Sequence, residues 1–398
     1  MSESFQKIKA REESLLLKTY NRYPLSVVKA KGSRLWDLDG KEYVDLLAGI
    51  AVTALGHCNE EIAEVISTQA HKLIHIGNLF YQEEHLDYAE KLLATAKLHK
   101  AFFCNSGTEA NEAAIKLVRR YQQKVKNKDA FEIITLTNCF HGRTFGALSA
   151  TGKYTDGFAP LVPGFKQVPA GDLAALEAAI GPQTAAVLIE LVQGEGGIVV
   201  LDKDYAKGVE QLCRDNDLVL IVDEIQTGLA RSGKMWSFQK FGLKPDVITS
   251  AKSLANGLPL GAMMTTDDLA QGFDHGSHGT TFGGGALVTA VASKVLEIIK
   301  RDNLAVQADY LGVKAKAMFR AVGEATPGKI RDVRGMGLLL GIELEMEPDR
   351  AKQVWQSLLD KGFVLNLAHG NVLRLLPALN IPLSDLEDFA KALQDVLG

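Results

Sequence analysis

Paired cysteines, long apolar runs and an excess of either charge are all missing from this chain. Its four cysteines, Cys58, Cys104, Cys139 and Cys213, fall in no CxxC pair and at no metal-ligand spacing. That excludes a disulfide scaffold and a zinc ribbon, and leaves reduced thiols. The formal net charge is only −4, which argues against the broad basic footprint of a nucleic-acid binder. The longest apolar stretch, 44–55, contains Asp45 and Gly49 and is too short to span a bilayer. The first residues, MSESFQKIKAREE, are charged and lack a hydrophobic signal region, so a cytoplasmic location is expected. No internal repeat, low-complexity linker or long charge run is present. What is there is ordinary for a globular protein, 46% hydrophobic and 23% charged in 398 residues, long enough for a large core and two domains.

Residues 33–47 read as a hairpin turning at Asp39-Gly40, and helical patterns follow at 60–75 and 83–96. From Ala101 the order becomes strand, helix, strand, helix. The strands are AFFCN, EIITLT from Glu132, AAVLIE from Ala185, LVLIVDE from Leu218 and DVITS from Asp246. They are short and β-branched with little alternation, as in strands covered on both faces. Segments 108–124 and 204–216 supply the helical crossovers of a parallel sheet. After about Leu287 the pattern changes to helices at 288–301 and 306–323, a strand-like GLLLGIELE, a helix at 350–361, the strands FVLN and VLRLLP, and a last helix from Ser384. This predicts an α/β protein with a large domain over 51–295 and a smaller α+β domain built by 1–50 together with 296–398.

Two of these strands end in chemistry. Asp223 closes LVLIVD and Lys252 follows DVITSA, both at the carboxyl ends of strands, where open α/β sheets bind ligands. An acid and a lysine so placed suit a pyridoxal phosphate enzyme: the lysine forms the Schiff base, and the acid keeps the pyridine nitrogen protonated. A capping Asp and a solvated Lys would explain either residue alone. Asn105-Ser106-Gly107-Thr108-Glu109 lies between a strand and a helix, and fits either a phosphate site at the helix start or simple capping by Ser106 or Thr108. In Phe140-His141-Gly142-Arg143, Phe140 could stack on a planar ring and Arg143 grip a carboxylate, or the pair could be a packed Phe and a surface Arg. Gln193-Gly194-Glu195-Gly196-Gly197 either presents Glu195 in a concave site or makes a tight turn. Gly279-Thr280-Thr281 offers two hydroxyls to a phosphate, or is a connector. Arg374 sits among apolar neighbours in VLRLLP, so it is paired or used.

Two decoys can be set aside. Arg334-Gly335-Met336-Gly337 with Gly341 imitates a dinucleotide fingerprint, but a strand follows where that motif needs a helix. His71 and His75 have metal-ligand spacing but no third ligand. No Ser-His-Asp signature is found.

Together these elements resemble the class III aminotransferases, pyridoxal phosphate enzymes of fold-type I. The match covers almost the whole chain: LAGIAVTALGH, NSGTEANEAAIKLVRRY, FHGRTFGALSATG, QGEGG, VDEIQTGLARSGKMW, PDVITSAKSLANGLPLGAM, GTTFGGG, RGMGLLLGIEL and VLRLLP occur in order and at compatible spacing. The resemblance implies a large domain with a mostly parallel, seven-stranded-type sheet. It implies that Lys252 and Asp223 are catalytic and that the cofactor is pyridoxal 5'-phosphate. Cofactor contacts would come from Ser106, Gly107, Thr108, Phe140, Asp223, Glu224, Ile225, Gln226 and Lys252, with Gln226 near the phenolic oxygen. Thr281 would reach the phosphate of a neighbouring subunit, with Thr280 near the substrate, which makes a homodimer the expected assembly. Arg143 would hold a substrate carboxylate, and Glu195 and Arg374 would form a switch pair. The expected partners are an amino donor and 2-oxoglutarate, with no metal, nucleic acid or membrane. The expected reaction moves the ω-amino group of N-acetylornithine to 2-oxoglutarate, giving N-acetylglutamate semialdehyde and glutamate, a step of arginine biosynthesis. Ornithine, N-succinylornithine or 4-aminobutyrate are alternative donors, and a non-catalytic cofactor-binding regulator is the remaining reading. Departures from the family pattern are SLANGLPLG after the lysine, FGGGALV after Thr281, Glu190-Leu191 where an acid-Pro is usual, and AVTALGH. None removes a catalytic group.

Overall fold

The computed structural model describes residues 2–398. A seven-stranded sheet runs in the order Lys100–Cys104, Gly261–Thr265, Val247–Ser250, Val219–Asp223, Thr184–Ile189, Glu132–Leu136, Phe165–Val168. The pairs made by the last five strands are parallel, and only Gly261–Thr265 runs antiparallel to its neighbours. Every residue of Thr184–Ile189 and Val219–Asp223 is buried, which explains why these strands show no alternation. Successive side chains still point to opposite faces. Ile221 and Val247 join one core with Ala113, Ala114 and Leu117 of the helix Gly107–Arg120, while Leu220, Val222 and Ile248 join the other with Val209 and Cys213 of the helix Lys203–Asp215.

Two strands of this sheet escape a pattern reading. Phe165–Val168 is a half-exposed edge strand, and Gly261–Thr265 reads GAMMT, without a β-branched run. Their pairing is set by neighbours distant in sequence rather than by local propensity. The predicted helix at 108–124 is α-helical to Arg120 and then widens into a π turn, Tyr121–Val125. A helix at Glu3–Leu15 with no buried residue was not anticipated either.

The two ends of the chain are knit together. The predicted hairpin forms from Arg34–Asp37 and Glu42–Asp45, and Phe363–Val364 adds to it in parallel. Arg34 forks onto Asp385 of the last helix, Leu383–Leu397, with both nitrogens 2.6 Å from the carboxylate oxygens. A second sheet, Ile330–Met336, Leu339–Leu344, Val372–Leu375 and Asn366–Ala368, carries Arg374 at its centre, opposite Gly341. Among the described residues no helix is long and apolar enough to cross a membrane.

Candidate active site

A cavity of about 400 Å³ opens at the carboxyl ends of the parallel strands. Asp223 is the last residue of its strand and pairs with Thr249 of the next. Lys252 therefore leaves the sheet just beyond the same end, and both line the cavity. Lys252 adopts a φ of 41°, a left-handed conformation uncommon for a residue other than glycine and a recurrent mark of functional positions.

The Asp223 carboxylate is anchored on three sides. Its Oδ2 accepts from Asn111 Nδ2 at 2.8 Å and lies 2.8 Å from His141 Nδ1, and its Oδ1 accepts from the Ile225 backbone N–H at 3.0 Å. Burial alone would lower the His141 pKa, but the adjoining Cys139 and Asp223 outweigh it and hold the imidazole well above its ordinary value. Neither Asn111 nor His141 was singled out from the sequence as a site residue. Asn111 lies one helical turn past Gly107, and pattern reading could not show which carboxylate it would meet.

The loop before the helix Gly107–Arg120 does two things at once. Ser106 is its N-cap and accepts the Glu109 N–H at 3.3 Å, while Glu109 reaches back to the Asn105 N–H at 2.9 Å and to Ser106 Oγ at 2.8 Å. The N–H groups of Gly107 and Thr108 belong to the first helical turn, where no preceding carbonyl can satisfy them, and both residues line the cavity. Capping and an anion site, alternatives in the sequence, coexist here. Thr108 Oγ1 also accepts the N–H groups of Arg143 and Thr144, at 3.2 and 3.3 Å. This close approach requires glycine at 142. Its φ is +137°, and a Cβ there would lie 2.1 Å from Thr108 Oγ1.

Phe140, Ile225 and Gln226 contribute further wall. A Cβ at Gly194 would fall 1.9 Å from Gln226 Oε1, so that glycine makes room for the amide. Gln226 Oε1 is buried without a partner, as is His141 Nε2. Orphaned buried polar atoms on a cavity wall are costly unless a ligand or water meets them. These two atoms, together with the free first-turn N–H groups of Gly107 and Thr108, suit a flat, anionic cofactor with polar ring substituents.

Glu190 follows Ile189, the last residue of its strand, and also lines the cavity, accepting the Phe140 N–H at 2.9 Å. Burial, reinforced by the Asp223 charge, pushes its pKa up to about 7. The sequence flagged Glu190 only as a departure from pattern. Burial, aided by the Arg374 charge and opposed by Glu195, Asp223 and Glu190, brings the Lys252 pKa down to about 8.

Arg374 is buried behind the cavity and donates from one nitrogen to Glu195 Oε1 at 2.6 Å and to the Gly194 carbonyl at 3.0 Å. Burial would raise the Glu195 pKa, but Arg374, Lys252 and Arg143 together hold it below the usual value. Arg143 stands exposed at the cavity lip. Of the residues anticipated for the site, four do not line the cavity: Arg374 reaches it only through Glu195, and three lie elsewhere. The Glu224 carboxylate is turned away from the cavity and is bound by Ser237 Oγ at 2.8 Å, by the Phe238 N–H at 2.9 Å and by the Thr227 hydroxyl. Strand alternation explains this, since Asp223 and Glu224 must face opposite ways. Thr280 and Thr281 do not line the cavity of their own chain either. Thr280 Oγ1 accepts from Asn105 Nδ2 at 3.0 Å, and Thr281 is exposed. Among the described residues no group of His, Cys, Asp and Glu could hold a metal ion.

A family model described as "Aminotransferase class-III" matches residues 17–397. The chain is 43% identical to the acetylornithine aminotransferase of Methanocaldococcus jannaschii over 389 residues, which is 97% of this chain and 96% of that protein. It is 41% identical to the acetylornithine aminotransferase of Caldanaerobacter subterraneus subsp. tengcongensis, over 97% of this chain and 98% of the other. The ornithine aminotransferase structure from Toxoplasma gondii superposes with a TM-score of 0.94 at 31% identity, covering 100% of this chain and 95% of that one. The acetylornithine aminotransferase structure from Elizabethkingia anophelis superposes with a TM-score of 0.89 at 30% identity, covering 99% and 98%.

Proposed function

This chain belongs to the class III aminotransferases, and from that premise we propose that it moves the ω-amino group of N-acetylornithine to 2-oxoglutarate. The observation that carries the reading is one cavity that joins the Lys252 amine, the Asp223 acid and the Arg143 guanidinium, which is held by no carboxylate of the described residues. The family is pyridoxal phosphate-dependent, and the cofactor, when bound, supplies an electrophilic carbonyl carbon and a ring that accepts electron density. Gly107 and Thr108 would hold its phosphate, Phe140 and Ile225 would flank the ring, and Gln226 would meet a ring oxygen. Asp223 would keep a proton on the ring nitrogen. Its bonds to Asn111 and His141 fix the carboxylate in place and spare the site any reorganisation.

Lys252 has an amine that is partly neutral near neutral pH, so it can attack a carbonyl and then take and return a proton at the reacting carbon of the donor. Arg143 grips the far α-carboxylate, which leaves the ω-end at Lys252 and selects which amine reacts. Glu195 neutralises Arg374 while the donor is bound. When 2-oxoglutarate enters, Arg374 exchanges that partner for the carboxylate of the keto acid.

The same proposal includes a homodimer. Leu79, Phe80, Tyr81 and Phe282 are exposed apolar side chains beside Thr281, and Asn78 ties the two segments by donating to the carbonyls of Thr280 and Gly283. A second copy would cover that face and bring Thr281 to the partner's phosphate site. We also take 51–295 as the cofactor-binding unit and 1–50 with 296–398 as the second, supported by the strand Phe363–Val364 on the N-terminal hairpin. A cytoplasmic setting agrees with four unpaired cysteines.

Glutamate formation, measured donor by donor with N-acetylornithine, ornithine, N-succinylornithine and 4-aminobutyrate, tests the substrate. N-acetylornithine should give the highest kcat/KM, and Lys252→Ala should abolish turnover. A higher kcat/KM for ornithine would favour the second reading, to which the 0.94 TM-score with the Toxoplasma enzyme points.

A further inference from the structure

The Arg143 guanidinium lies 3.7 Å above the centre of the Tyr154 ring and 5.6 Å from that of Phe140, and the two rings meet edge to face at 6.5 Å and 76°. Its side chain makes no hydrogen bond and no ion pair among the described residues; only its backbone N–H is engaged, at Thr108. A stacked guanidinium keeps its edge free, because the ring face takes the cation and the N–H groups stay available in the plane.

Arg143 and Glu195 line the same cavity, so a freely moving guanidinium there has a carboxylate to turn towards. Tyr154 also pays a local cost to sit there. Its φ is +61° and the residue is 51% exposed, an uncommon pairing because a bulky residue at positive φ is strained. Burial of the ring does not offset that strain, and strain of this kind gathers where a side chain is being aimed.

We propose that Tyr154 is the positioning residue that makes Arg143 selective for donors with an α-carboxylate, by holding the guanidinium flat and off Glu195. The proposal rests on Arg143 being the donor-carboxylate arginine. Tyr154 does not touch the reacting atoms, and its hydroxyl is not needed.

Two substitutions separate these roles. Tyr154→Asn removes the ring and keeps a residue that tolerates positive φ, whereas Tyr154→Phe keeps the ring and removes the hydroxyl. The readout is the equilibrium binding of N-acetylnorvaline, which carries the α-carboxylate and no ω-amine, measured by calorimetry on the cofactor-loaded protein. Tyr154→Asn should weaken binding roughly three- to tenfold, the range expected of an exposed to partly desolvated cation–π contact. Tyr154→Phe should leave it unchanged. In steady state the Asn variant should raise KM for N-acetylornithine by the same factor. Its KM for 2-oxoglutarate and for N-acetylputrescine, the donor without the carboxylate, should stay as in the parent.

Arg143→Ala separates the role of Arg143 from that of Tyr154. If it leaves N-acetylnorvaline binding unchanged, the carboxylate assignment of Arg143 is wrong. If it weakens binding but Tyr154→Asn does not, the Tyr154 proposal alone is overturned. An equal loss from Tyr154→Asn in the Arg143→Ala background would also overturn it, since the ring would then be acting without the arginine.

Discussion

Substituting Glu195 by Gln should tilt the enzyme towards its keto-acid half-reaction. Arg374 is 2% exposed at its side chain, Glu195 is 33% exposed, and their nearest atoms are 2.6 Å apart. A charge-assisted hydrogen bond contributes about 1.5–3 kcal/mol net, and the exposure of Glu195 to water argues for the lower end. Gln keeps the shape and one acceptor but removes the charge. An incoming carboxylate then no longer has to displace an ion, and KM for 2-oxoglutarate should fall about tenfold. The donor half should suffer in the opposite sense, because an uncovered Arg374 competes with Arg143 for the donor carboxylate and binds it the wrong way round. Stopped-flow measurement of each half-reaction separately is the assay. An unchanged KM for 2-oxoglutarate, with only the donor half slowed, would refute the exchange of partners at Arg374.

Two further outcomes follow from the same cavity. Glu190 is an acid whose folded pKa, about 7, lies above its ordinary 4.5; it binds its proton more tightly when folded, so its stabilisation is present below about 4.5 and is lost as pH rises through about 7. Melting curves of the parent and of Glu190→Gln should therefore converge at low pH, with the parent falling behind by on the order of a few kelvin above neutrality, and parallel curves would rule this out. Gly142→Ala places a methyl 2.1 Å from Thr108 Oγ1 at a φ of +137°, which should cost about 2 kcal/mol or more and push Thr108 and the helix start out of place. Loss of cofactor on gel filtration, together with a lower melting temperature, is the expected result, and full retention would contradict it.

Much of the sheet was legible because its central strands are buried on both faces and their composition says so. Thr184–Ile189 and Val219–Asp223 were anticipated to within a residue. Phe165–Val168 and Gly261–Thr265 were not, since an edge strand and a glycine-led strand carry little local signal. In the site, Asp223 and Lys252 announced themselves by standing at strand ends. Glu224, next to Asp223, was grouped with the cofactor contacts, but the two-residue period of the strand sends its carboxylate to Ser237 and Phe238 instead. Asn111 and His141 went unnoticed because a helical Asn and a loop His become informative only when a carboxylate is seen between them.

The amino-acid sequence by itself determined which groups are available and where along the chain each strand gives way to a loop. Side-chain chemistry and short-range periodicity are local properties, and they placed an acid, a lysine and a helix start at one end of one sheet. Only the tertiary structure decided which groups meet. It set Arg374 against Glu195 across 179 residues, Asn111 against Asp223 across 112, and Arg143 against Tyr154. Such contacts depend on strand register and loop direction, and these are fixed by close packing over the whole core, where a shift of one residue reverses every side chain.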